Sequence, residues 1–171
     1  MNKFFHHTTV KFSILLIVAA AAYLTIFRNG FVIDDRYFIL DWPITREWSN
    51  VEQILTGANP ESQQGVYRPV RGVLYMAYYH LWGTNPWWYH LHSVVVHLGT
   101  TALVFALIRI LLKNLQHAES SAFFAALVFA LHPIHTESIT YIAASMEMVG
   151  VMWFFAAMYC YVRRQSIWMI V

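Results

Sequence analysis

Two long apolar runs, Tyr89 to Leu112 and Ile142 to Val162, constrain this chain more than any other feature. About 20 consecutive apolar residues in a helix cross the ~30 Å hydrocarbon core of a bilayer, and both runs reach that length. A third run, from about Phe12 to Phe27, lies between Lys11 and Arg28 and falls within the spanning range. Composition agrees, since 58% of the residues are hydrophobic and only 12% are charged. Ordinary soluble domains carry about 25% charged residues. The net charge of +2 is too small, and the basic residues too scattered, for a nucleic-acid surface, so no nucleic acid is expected as a partner. The single cysteine, Cys160, excludes an intramolecular disulfide framework.

The expected architecture is all-α: a polytopic membrane helix bundle of about four spans plus the start of a fifth, with a long helical outer loop. The first span covers about 10–27. The alternative for this segment is a cleaved signal peptide, because Ala19 to Ala22 offer small residues where a peptidase could cut. Residues 28–88 form the outer loop. Ser49 and Glu52 match a capping box ahead of a helix at about 50–56, which Gly57 stops. Residues 58–66, ANPESQQGV, have no apolar period and read as a loop tip. Pro69 opens a helix at 69–82 in which Val70, Val73, Leu74, Ala77, Tyr78 and Leu81 share one face, and Gly83 ends it. Such a helix suits the membrane surface.

Trp87, Trp88 and Tyr89 form an interfacial aromatic belt before the second span, 89–112. Ser121 to Leu131 is short, covering only ~17 Å at 1.5 Å per residue, so a re-entrant hairpin competes with a third span at about 118–132. Charge favours the span. Lys3 and Lys11, Arg109 and Lys113, and Arg163 and Arg164 fall on one side of the membrane only if this segment crosses. A second outer loop, 133–141, leads to the last full span at 142–162, and residues 166–171 read as the start of a fifth.

Polar residues gather at the other side. On the second span His90, Ser93, His97, Thr100 and Thr101 form a stripe at helical spacing, suited either to interhelical hydrogen bonds or to lining a cavity. In HPIHTE, residues 132–137, His135 and Glu137 are candidate ligands for a divalent metal, against a bland reading as a hydrogen-bonded loop. Glu147 stands close to the apolar body of a span, where a carboxylate needs a partner such as His135 or Arg71. Asp34 and Asp35 are adjacent carboxylates at the start of the outer loop. A helix cap or a solvated loop accounts for them simply. They also suit a division of labour in which one takes a proton from a hydroxyl nucleophile and the other orients it or holds a metal. Arg68 and Arg71 would then hold a phosphate, which a guanidinium binds bidentately.

The ordered set NGFVIDD at 29–35, YRPV at 67–70, WGTNPWWYHLHSVVVH at 82–97 and FALHPIHTESI at 129–139 resembles the membrane half of the transmembrane and tetratricopeptide-repeat O-mannosyltransferases and their prokaryotic relatives. These are polytopic glycosyltransferases of the GT-C type. The resemblance implies transfer of a sugar, with inversion, from a polyprenyl-phosphate donor to a protein or glycan hydroxyl on the non-cytoplasmic face. It implies a general base at Asp34 or Asp35, with Asp34 preferred, and a second acidic site at Glu137. Glu147, in SMEM, stands where relatives often carry a glycine-arginine-acid stretch; Ser145 and Met146 depart from that pattern. Arg68 or Arg71 would then supply the phosphate-binding charge, with His90 and His97 as further substrate-binding candidates. The N-terminus would be cytoplasmic, in a bacterial inner membrane or the endoplasmic reticulum. Such enzymes have many more spans, so the chain is expected to be an N-terminal portion, inactive alone and needing a missing C-terminal half or a partner subunit. The rival function is a non-enzymatic membrane module that binds metal or haem through its histidines, with His90 and His97 on one helix face.

Overall fold

The computed structural model describes residues 2–58 and 67–168, and side chains within 8–58 and 67–164. Residues 59–66, expected as a loop tip, and 169–171, expected in a fifth apolar segment, lie outside the described residues. The described chain is a helix bundle without strands. Its helices are α1 (Asn2–Ala22), α2 (Val51–Thr56), α3 (Pro69–Trp82), α4 (Pro86–Leu111), α5 (Ala118–Leu131), α6 (His135–Thr140) and α7 (Ile142–Trp168). Three segments are long and apolar enough to cross a membrane: Thr8–Arg28, Pro86–Leu111 and Ile142–Arg164. The helix α7 continues through Arg163 and Arg164, so no turn separates residues 166–168 from the span before them.

The central helix is α4, packed on α5, α7 and α1. Its start follows from local chemistry. Asn85 accepts from the backbone N–H of Trp87 at 3.1 Å, and Pro86 stands where a missing N–H costs nothing. The short helix α5 runs beside α1 along its whole length. Thr8 and Lys11 meet Glu119 and Ser120 at one end of the pair, and Tyr23 reaches the carbonyl of Ala130 at the other. The two helices therefore traverse the same depth of the bundle. Ala122, Ala126 and Ala130, fully buried at four-residue spacing, present a small-residue face that lets helices approach closely.

The loop after α1 is folded rather than extended. It holds a 3-10 turn at Leu24–Arg28, a π-helical turn at Arg36–Asp41, and two further 3-10 turns at Pro43–Arg46 and Trp48–Asn50. Phe38, Ile39 and Trp42 from these turns pack with Tyr75 and Met76 of α3 and with Ile142 and Met146 of α7. This second core clamps the loop onto the first turns of α7.

Two local expectations change. The capping box does not form: Ser49 Oγ donates to Glu47 at 3.3 Å instead, and α2 starts at Val51 without a side-chain cap. Gly57 does close that helix, at φ 76°, in the left-handed region that glycine enters freely. In α3 the buried residues are Gly72, Tyr75 and Met76, whereas Val70 and Leu81 are exposed. The expected apolar face is thus rotated, because close packing on Ile54 of α2 requires the glycine side. A Cβ on Gly72 would come within 2.7 Å of Ile54.

Candidate active site

The motif FVIDDR turns sharply. Ile33 has φ 42°, an uncommon left-handed conformation for a β-branched side chain, stored at a cost of about 1–3 kcal/mol. The turn sends the two aspartates in opposite directions. Asp35 is fully buried and Asp34 is exposed.

Asp35 is tied to a helix 108 residues later. One carboxylate oxygen accepts from the backbone N–H of Ala143 at 2.7 Å, and the other from Val32 at 3.2 Å. Ile142 and Ala143 are the first two residues of α7, whose opening N–H groups have no partners within the helix. A carboxylate there satisfies them and meets the positive end of the helix dipole. Burial pushes the Asp35 carboxyl above the ordinary carboxylate range; the N–H groups of Ala143, Val32 and Ile142 pull it down, and Asp34 adds a smaller upward push. Asp35 is thus a clamp between the outer loop and α7.

Asp34 sits on the open side of the same turn. Its backbone N–H donates to the hydroxyl of Tyr141 at 3.3 Å. Burial, followed by the contact with Asp34, pushes the Tyr141 hydroxyl up to about 12, so it remains protonated at neutral pH. Val32 and Tyr141 also line a groove of about 420 Å³ with Arg28, Asn29, Gly30 and Thr140. A second groove, of about 450 Å³, lies between α3 and α7 and is lined by Arg68, Arg71, Leu74, Met146, Glu147 and Trp153 among others. Glu147 is four residues beyond Ala143, about 6 Å along the helix axis. The aspartate turn therefore stands near both grooves.

In the second groove Arg68 pairs with Glu147 at 2.9 Å. The partner of Glu147 is therefore Arg68, not His135 or Arg71. Both side chains are about half exposed, which makes the pair weak and separable. Arg71 lies 4.5 Å over the ring of Phe38, one turn beyond Asp34. The structure thus gathers Asp34, Asp35, Arg68, Arg71 and Glu147 at one end of the bundle.

The histidines are placed otherwise. His90 and His97 are buried in α4. His97 Nε2 donates to the carbonyl of Ala130 at 3.1 Å, and Tyr23 donates to the same oxygen at 3.4 Å. That carbonyl lies in the last turn of α5, just ahead of Pro133, where intrahelical donors run out. Ser93 and Thr100 donate back to carbonyls four residues earlier, Tyr89 and Val96. Within the stripe Ser93, His97 and Thr100 thus bond within and between helices, whereas the hydroxyl of Thr101 is buried without a hydrogen-bond partner among the described residues. His135 packs on Phe129 and His97, with ring centroids 4.6 and 5.8 Å away. Burial and then His132 hold its imidazole below the ordinary value. Glu137 is exposed. No three His, Cys, Asp or Glu side chains converge among the described residues. Tyr141 is the residue that spacing missed; only its position at the entry to α7 hinted at it.

The chain is 29% identical over 160 residues to protein O-mannosyl-transferase TMTC3 of Mus musculus, a match covering 90% of this chain and 17% of that protein. The chain is similar in sequence to protein O-mannosyl-transferases. It is 33% identical over 100 residues to TMTC2 of Homo sapiens, covering 58% of this chain and 12% of that protein. A Caenorhabditis elegans protein O-mannosyl-transferase is 28% identical over 160 residues, with 90% and 23% covered. The chain therefore spans less than a quarter of the length of each of these relatives. No family model and no solved structure matches it. The three long apolar segments make this an integral membrane protein, similar in sequence to those transferases.

Proposed function

We propose that this chain forms the part of a GT-C type membrane glycosyltransferase that carries the general base. The complete enzyme transfers a sugar from a polyprenyl-phosphate donor to a hydroxyl of a protein acceptor. The observation that carries the reading is the divergence of the two aspartates: Asp35 is committed to α7, which leaves Asp34 held on a fixed turn and open to substrate.

Asp34 takes the proton from the acceptor hydroxyl as its oxygen attacks the anomeric carbon. The bond from that carbon to the phosphate oxygen breaks, the configuration inverts, and the polyprenyl phosphate leaves with its negative charge. Arg68 and Arg71 meet that charge, Arg68 by exchanging its weak pairing with Glu147 for the phosphate. Tyr141 supports the turn, and Asp35 acts as a positioning residue. The basic end of the bundle, with Lys11, Arg109, Lys113 and Arg163, faces the cytoplasm by the positive-inside rule, which puts Asp34 on the opposite face.

The test is transfer by the full-length protein in membranes. Asp34→Asn should abolish transfer, by about a hundredfold or more, while insertion and melting temperature stay unchanged. Undiminished transfer would overturn the assignment.

A further inference from the structure

The end of the bundle remote from Asp34 holds a larger groove that this reaction does not use. It has a volume of about 660 Å³ and lies between α1, α4 and α7. Its floor is apolar, built from Phe12 of α1 with Phe105, Ala106 and Ile110 of α4. Its rim carries Arg109, Lys113 and Arg163, with the hydroxyls of Thr8 and Tyr159 nearby. Arg109 and Lys113 are four residues apart at the end of α4, and Arg163 stands near the end of the spanning part of α7.

No carboxylate forms a salt bridge with these three cations among the described residues, although Arg109 acts on Glu119 at longer range. Glu119, at the same end, accepts from Thr8 at 2.6 Å and pairs with Lys11 at 3.1 Å. Cations at helix C-termini offset the helix dipole, which explains an arginine in the last turn of α4. The dipole does not explain a groove of ligand size with an apolar floor beneath the cations.

We propose that this groove binds one anionic phospholipid of the surrounding leaflet. Its phosphate lies among Arg109, Lys113 and Arg163, and the start of an acyl chain lies along Phe12, Phe105 and Ala106. The groove ends where two spanning segments end, at the depth where phospholipid headgroups lie. Charge and apolar surface are stacked in the order that a phospholipid presents them. A soluble anion would match the rim alone. The site stands independently of the proposed reaction, since it shares no residue with it.

The full-length protein in detergent should retain phosphatidylglycerol over phosphatidylcholine in native mass spectrometry, and its melting temperature should rise with phosphatidylglycerol alone. Changing Arg109, Lys113 and Arg163 to Gln should weaken phosphatidylglycerol binding by about fivefold per cation removed. Arg164→Gln, which removes a neighbouring charge outside the groove, should leave binding unchanged. Ala106→Trp fills the floor but keeps every cation, and should also remove binding; this variant decides the matter if the triple change fails to fold. Equal retention of both lipids, or no effect of either set of changes, would overturn the proposal. So would displacement by millimolar inorganic phosphate, which would reduce the site to an anion hole. Stronger binding of polyprenyl phosphate than of phosphatidylglycerol would overturn the choice of ligand.

Discussion

The two ends of the bundle hold charge in opposite ways. At the aspartate end a carboxylate is fully buried, bonded to the first N–H groups of a 27-residue helix, and approached through a strained turn at Ile33. At the basic end the charges sit at partly or fully exposed positions, and the pair between Lys11 and Glu119 is only one-third to one-quarter exposed on each side chain. Burial makes a single geometry compulsory, because an unmet group in a dry site costs several times what the finished hydrogen bond contributes. Exposure leaves the charges free to exchange partners. The two proposals rest on this difference: one end would hold a reacting group still, and the other would exchange lipids.

The contrast breaks most readily at Asp35. Asp35→Ala strands the buried N–H of Ala143 and the part-buried N–H of Val32 and should cost about 2 kcal/mol or more, with transfer lost as the turn loosens. Asp35→Asn keeps one acceptor and should cost less. The acidity of Asp35 adds a check on sign. Its carboxyl is held above its unfolded value, so its contribution to stability is full below pH ~4 and is lost as pH rises through the folded value. The wild-type protein should therefore lose stability between acid and neutral pH relative to Asp35→Asn. Thermal unfolding of both proteins across that range measures the slope, and parallel curves would show that burial does not govern this carboxylate.

A smaller effect is expected at Ile33. Glycine adopts a positive φ without the clash of a branched Cβ, but it also loosens the unfolded chain. Ile33→Gly should therefore raise stability only slightly, by about 0.5–1 kcal/mol. Transfer should fall nonetheless, because the strained turn holds Asp34 and Tyr141 together. A variant that melts higher and transfers as fast as wild type would mean the strain serves no function.

The sequence disclosed these two ends unequally. Helix positions were legible because a bilayer demands length and apolarity, and Gly57, Gly83, Pro69 and Pro86 punctuate the chain at real boundaries. The face of α3 was not legible. In a membrane protein both lipid-facing and protein-facing sides are apolar, so a hydropathy period cannot tell Val70 from Met76. The turns at 36–46 have no period at all and pack against α3 and α7, while the turn at 24–28 packs against α4. The adjacent aspartates suggested a division of labour, but which of the two is buried depends on the backbone at Ile33 and on a helix start 108 residues away. The polar stripe of α4 was legible as a stripe, but its choice between glue and cavity rested on the Ala130 carbonyl of another helix.

The smallest effect is expected at the basic end, in the contact between Lys11 and Glu119. Their side chains are 34% and 26% exposed, so solvent and salt screen an attraction that would be large if buried. The hydroxyl of Thr8 also donates to the other oxygen of Glu119, which keeps one of its two carboxylate oxygens bonded after Lys11 is changed. Lys11→Gln and Glu119→Gln should each cost less than about 1 kcal/mol, and the coupling between them should be only a few tenths. A double-mutant cycle of melting temperatures at low and high salt isolates the pair, and its coupling should shrink as salt rises. A coupling of about 3 kcal/mol, unmoved by salt, would mean that this end is as dry as the site around Asp35. The proposed difference between a fixed end and an exchangeable one would then fall with it.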